Sequence, residues 1–249
     1  RELLDIATRQ LRSVDSSETP DVRAALLESV GTAYTGLGLY PEASPLLAEA
    51  VALRRSRADA SPETLGAALL SNAQLLRSWG DLPDAEALGR EALALLDTAP
   101  NARTEERYRA RLGLAETLRH AGRFDEAALL ATGVVEALEQ LRDTGGEDYA
   151  RALYALGRIR AAQGELDTAI GLLERALARQ RALHGDSSVW SREVKNGLGD
   201  ALAIHGQLGR AEATMREVLS TSQLIFGDDH HETGIVMSNL ANVLSDVPE

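Results

Sequence analysis

Six small residues recur every 42 positions without slippage: Gly31, Ala73, Ala115, Gly157, Gly199 and Ala241. The residues around them repeat as well. A glycine follows seven positions on (Gly38, Gly80, Gly122, Gly164, Gly206), and an alanine five beyond that (Ala43, Ala85, Ala127, Ala169, Ala211). A period of this length is the mark of a stacked array, in which one unit cannot bury its own apolar face and its neighbours complete the core. The repetition therefore predicts a solenoid, and favours a binding surface over a catalyst.

Each unit reads as two helices. In the fourth, Ala152, Leu153, Leu156, Gly157 and Ile159 form an apolar stripe at helical spacing. Gly164 ends that helix, because a glycine just past a helix end takes the left-handed conformation other residues resist. A second helix runs through Ala169, Ile170, Leu172, Leu173, Ala176 and Leu177 and fades at Gly185-Asp186-Ser187-Ser188. The same reading places helix pairs at 22–37 and 41–55, 62–79 and 83–96, 104–121 and 124–141, and 189–205 and 208–225. Orphan helices lie at 2–14 and 231–245. The expectation is an all-α solenoid of about 12 helices in stacked antiparallel hairpins. It forms one domain over 1–249, with repeats near 22–61, 62–103, 104–146, 147–188 and 189–230, and partial repeats at 1–21 and 231–249.

Composition agrees. Hydrophobic residues make up 44% of the 249, but aromatics only 4%. The apolar mass is mostly alanine and leucine, the strongest apolar helix formers. A net charge of −12 argues against nucleic-acid or anionic-membrane partners. The chain has no cysteine, hence no disulfide framework or thiolate chemistry. No apolar run approaches the ~20 residues of a membrane span. Lys195 is the sole lysine among 26 basic residues, a usage that suggests a GC-rich bacterial genome; the location expected is cytoplasmic. A start at Arg1 suggests a piece of a longer protein.

Val30-Gly31, Tyr34, Gly38, Tyr40, Ala43 and Ala50 in the first unit resemble the tetratricopeptide repeat. So do Leu156-Gly157, Gly164, Leu166, Ala169 and Ala176 in the fourth. The family repeat is typically about 34 residues; the 42-residue form is similar to the kinesin-light-chain type. The resemblance implies a right-handed superhelix. Arg1–Arg9, Asp21–Gly31 and Gly36–Ala43 also resemble the region after the catalytic domain of bacterial serine/threonine protein kinases, although no kinase motif is present. Three positions depart from the repeat: Asn72 and Arg160 stand where other units carry apolar residues, and Gly89 replaces an apolar residue in a second helix. Neighbouring apolar residues such as Leu75 and Ile159 would take over the buried places.

The resemblance implies that first helices line a concave groove. Candidates in repeats one and two are Glu28, Thr32, Gln74 and Arg77. Repeat three gives Arg109, Glu116, Arg119 and His120, and repeat four gives Arg151, Tyr154 and Arg158. Asn196, Asp200, Asn239 and Asn242 complete the set. Five arginines there stand out in an acidic protein, and arginine binds carboxylates bidentately. The groove is thus expected to bind a protein or peptide bearing Asp, Glu or a C-terminal carboxylate. The opposing reading is that the arginines pair with Glu116 and neighbouring acids. No cofactor, metal or catalytic residue is expected. Asp228-Asp229-His230-His231-Glu232 lacks the i, i+4 spacing of a helical metal pair, and Trp79 and Trp190 read as local packing. The function expected is an interaction scaffold in a bacterial signalling protein. The alternative is a structural array that self-associates through its ends and spaces attached domains.

Overall fold

The computed structural model describes residues 2–13, 20–57, 61–186 and 188–245. Twelve helices account for all the regular structure among these residues. By packing, the chain divides into two compact units, Arg1–Arg123 and Phe124–Glu249. The first holds α1 (Glu2–Ser13), α2 (Pro20–Gly36), α3 (Tyr40–Arg55), α4 (Pro62–Trp79), α5 (Leu82–Thr98) and α6 (Thr104–His120). The second holds α7 (Phe124–Gln140), α8 (Glu147–Ala162), α9 (Leu166–His184), α10 (Val189–Ile204), α11 (Leu208–Phe226) and α12 (His231–Ser245). The architecture is an all-α helical solenoid, and helix ends fall within about two residues of the periodic reading where that reading set them. Among the described residues no helix is long and apolar enough to cross a membrane.

The 42-residue spacing has a steric cause. A methyl added to Gly31 would lie 2.7 Å from Leu47 Cγ, one on Gly157 2.9 Å from Leu173 Cγ, and one on Gly199 2.8 Å from Met215 Cε. Each glycine therefore makes room for a large side chain on the second helix of its own hairpin, so the helices approach closely. The position facing Gly157 also includes the Ala169 carbonyl, 3.4 Å from such a methyl. In repeat two both positions are small: Ala73 takes the glycine's place and Gly89 the leucine's. The missing methyl of Gly89 would lie 3.3 Å from Leu114 Cδ1, on the next helix. At the other departures Leu75 and Ile159 are fully buried, and Arg160 turns outward to Gln163 and Glu165.

Turns follow from the recurrent glycine. At Gly164, φ is +82°, and the Glu165 amide donates to the Arg160 carbonyl at 2.9 Å, closing α8 in the left-handed C-terminal motif. Gly38, Gly80, Gly122 and Gly206 share the positive φ.

Stacking between repeats uses a second recurring position. Arg23 donates to the Leu11 carbonyl, Arg107 to the carbonyls of Leu96 and Ala99, Ser191 Oγ to Gly185 O and Thr233 Oγ1 to Gly227 O. These residues are spaced by multiples of the repeat. Each caps the end of the preceding helix, whose last carbonyls have no partner inside it. The sole lysine is locked in this seam. Lys195, only 2% exposed, places Nζ 3.0 Å from both Asp186 and Glu217, with Arg181 beside the same two acids.

Candidate functional site: two concave clefts

In the first unit, α2, α4 and α6 frame a cleft of about 240 Å³. Its floor is apolar and small-residued: Ala67, Leu70, Ala73, Gly89, Leu96 and Gly113. Gly89 thus has a second consequence, since a leucine there would intrude on this space. The rim is charged. Glu28 accepts from Arg54 Nη2 at 2.8 Å and from Ser71 Oγ at 2.9 Å. Glu106 is held by Arg103 through two guanidinium bonds of 3.0–3.1 Å and the Arg103 amide. Glu63 is held below the usual carboxylate range by its own amide and the Ser61 hydroxyl. The rim acids are therefore largely committed. Arg77 donates to the Gly113 carbonyl at 3.4 Å. Arg109 is exposed and makes no ion pair or hydrogen bond with any described residue.

The rest of α6 behaves otherwise. Arg119 makes a bidentate pair with Glu116, at 3.0 and 2.9 Å, and both side chains are mostly buried. His120 lies 3.7 Å from the same carboxylate. With its Nε/Nη2 edge on Glu116 and Nη2 also 2.7 Å from His120 Nε2, Arg119 already has its carboxylate. Arg77 and Arg109 share the first cleft with Gln74, while Glu116, Arg119 and His120 do not line it.

In the second unit, α8, α10 and α12 frame a cleft of about 250 Å³. It gathers Tyr154, Arg158, Asn196 and Asp200 from the sequence-derived set and adds Arg192, Glu193 and Glu232. Tyr154 meets Trp190 edge-on, with centroids 5.4 Å apart, and its hydroxyl donates to Glu193 at 3.3 Å. It can lie there because Gly197 has no side chain: a methyl would sit 3.3 Å from Tyr154 Cε2. Both cleft arginines are engaged by rings. The Arg158 guanidinium is 5.5 Å from the Tyr154 centroid, and that of Arg192 is 5.2 Å from Phe226 and 3.6 Å from Glu232. Arg151 lies outside, pairing with Glu147 at 2.5 Å and resting 4.7 Å from the Trp190 ring. Asn239 and Asn242 do not line the cleft.

Asp200 is the electrostatic exception. No hydrogen bond or ion pair reaches it from any described residue. Its surface opens to water on one side and is crowded by protein on the others. That crowding pushes its carboxyl up to about 6, against the pull of Arg158. Access to water moderates the shift. Asn196 Oδ1 and Arg192 Nε, in the same cleft, are buried atoms without a partner.

Sequence reasoning missed Arg192, although a signal existed. The same repeat position carries Ala24, Gly66, Tyr108 and Ala150, all buried, so an arginine there stands out. The Asp228–Glu232 run serves its turn. Asp228 accepts from Gln223, and His230 stacks on Phe226 at 4.8 Å and accepts from the Glu232 amide. Trp79, half exposed, tilts against Tyr40 at 6.5 Å.

Stacked helical hairpins with paired first helices around open clefts define a repeat protein of the protein-binding scaffold class. The tetratricopeptide repeat profile matches residues 106–182 and 148–223, and a second tetratricopeptide profile matches 23–57, together more than half of the sequence. The chain belongs to the tetratricopeptide repeat family. No curated protein matches it closely. Among solved structures, BtubC (BKLC) from P. vanneervenii superposes with a TM-score of 0.67 at 22% identity, over 80% of this chain and 81% of that one. A protein of Podosopora anserina described as a kinesin light chain with nearly identical TPR-like repeats gives 0.61 at 21% identity, over 84% and 99%. A Rap protein complexed with Competence and Sporulation Factor gives 0.66 at 14% identity, over 97% and 69%. These likenesses concern the fold.

Proposed function

We propose that the protein binds a peptide or protein segment on its concave faces, and that the cleft of α2, α4 and α6 receives a carboxylate of that partner. The observation behind this reading is Arg109: an exposed guanidinium with no partner among the described residues, beside Arg77, among acids that already have theirs. A planar fork with free donors is suited to a carboxylate. An Asp or Glu side chain and a C-terminal carboxylate present the same chemistry. The setting of a cytoplasmic bacterial signalling protein belongs to the same proposal and rests on the resemblance of the opening segments to a region that follows kinase domains.

Fluorescence anisotropy with a labelled glutamate-rich peptide tests it. Arg109→Glu is expected to weaken binding by more than tenfold, and Arg119→Ala by less than about twofold, since Arg119 is already paired with Glu116. Equal affinity of the Arg109 variant and the parent protein would end the proposal.

A further inference from the structure

The two clefts do not carry the same unmet charge. Among the described residues, the first holds a cation with no hydrogen bond or ion pair, Arg109, and the second a carboxylate with none, Asp200. We propose that the cleft of α8, α10 and α12 receives a cationic side chain, lysine or arginine, of the bound segment, with Asp200 as its counter-ion. This inference rests on the concave faces being the binding surface and adds that the partner segment is charged in both senses.

The composition of the cleft carries the proposal. Three carboxylates line it (Glu193 and Asp200 on α10, Glu232 on α12) against two arginines, Arg158 on α8 and Arg192 on α10. The arginines are covered: Arg158 lies over the Tyr154 ring, and Arg192 lies over Phe226 and reaches toward Glu232. An incoming carboxylate would meet three carboxylates against two arginines, and at Arg192 a guanidinium already facing Glu232. An incoming ammonium or guanidinium would meet Asp200, which is exposed and which no donor of the described residues reaches. Ile235 and Val236 on α12 offer apolar surface for the methylene stem of such a side chain. Tyr154, held against α10 by the absence of a side chain at Gly197, adds an aromatic edge.

The sign of the pH dependence separates this from carboxylate binding. A cationic ligand needs Asp200 ionised, so its affinity falls as pH drops through the Asp200 value. A carboxylate ligand would gain there, because protonation removes a repelling charge. The groups facing Asp200 are Tyr154 and Arg158 from α8, Arg192 and Glu193 from α10, and Glu232 from α12.

The test is an amide chemical-shift titration of the whole chain with two capped tripeptides, acetyl-Gly-Arg-Gly-amide and acetyl-Gly-Glu-Gly-amide. The arginine peptide is expected to shift the amides of Tyr154, Asn196, Gly197 and Asp200 and to saturate. Its affinity should be about tenfold weaker at about pH 5 than at about pH 7.5, following a carboxyl that titrates at about 6. Asp200→Asn, which removes a carboxyl raised by its surroundings and so does not lower the thermal melt, should abolish both the binding and its pH step. The inference is overturned if the glutamate peptide shifts those amides in place of the arginine peptide, or if neither does. It is equally overturned if the arginine peptide binds Asp200→Asn unchanged. The glutamate peptide's effect on the Arg109 amide reads the carboxylate proposal separately, so failure of one does not disguise failure of the other.

Discussion

Replacing Gly157 by alanine tests whether the repeat spacing is a packing requirement. Alanine is the better helix former by ~1 kcal/mol, so on propensity alone the change would stabilise α8. The new methyl would, however, lie 2.9 and 3.1 Å from Leu173 Cγ and Cδ2, and 3.4 Å from the Ala169 carbonyl oxygen. Leu173 is fully buried. Overpacking of this kind costs ~1–3 kcal/mol, so the expected net effect is a loss of about 0–2 kcal/mol. Leu173→Ala alone should cost about 2–5 kcal/mol, as a buried leucine truncation does. Together the two changes relieve each other, because the alanine methyl then faces space that Leu173 has left. The double variant should be more stable than the sum of the singles by about 1–3 kcal/mol, the strain removed. Urea unfolding of the four proteins, followed by far-ultraviolet circular dichroism, supplies the cycle. Additivity within about 0.5 kcal/mol would refute the steric reading of the glycine positions.

Two further stability effects follow from buried polar groups. Gln180 is fully buried and neither amide atom has a partner among the described residues, while the same repeat position holds buried Leu96 and Leu138. Gln180→Leu should therefore stabilise by about 1–2 kcal/mol, a rise of a few degrees in melting temperature; a lower melting temperature would show that the amide is in fact satisfied. Lys195→Met should cost about 1–3 kcal/mol at neutral pH, less than breaking a fully buried pair, because Asp186 and Glu217 are half exposed. Burial raises the Asp186 carboxyl, but Lys195 and Arg181 outweigh it and hold it below its ordinary 3.8. A lowered carboxyl stabilises the fold above its unfolded value, and that contribution is lost as pH falls through the folded one. The gap between Lys195→Met and the parent protein should accordingly narrow below about pH 4. Urea titrations at neutral and acidic pH measure it, and a gap independent of pH would contradict the assignment.

The periodic small residues and the turn glycines determined the helices, their pairing and the close approach within each hairpin. Those features depend on local geometry: a missing methyl, a positive φ, a stripe at helical spacing. Membership of the tetratricopeptide family was legible for the same reason. The sequence could also place Arg77, Arg109, Tyr154, Arg158 and Asp200 among the side chains of the first helices. It could not tell which charges were already matched, because part of the matching comes from neighbours on other helices: Arg54 reaches Glu28 from α3, and Phe226 on α11 supplies the ring over which Arg192 lies. Only the tertiary structure left Arg109 without an ion pair, and Asp200 without an ion pair or hydrogen bond, among the described residues. Electrostatic pairing acts across a few ångströms of space, whereas the 42-residue repeat acts along the chain. The repeat therefore determined the scaffold, and the packing of its helices decided which charges remain for a partner.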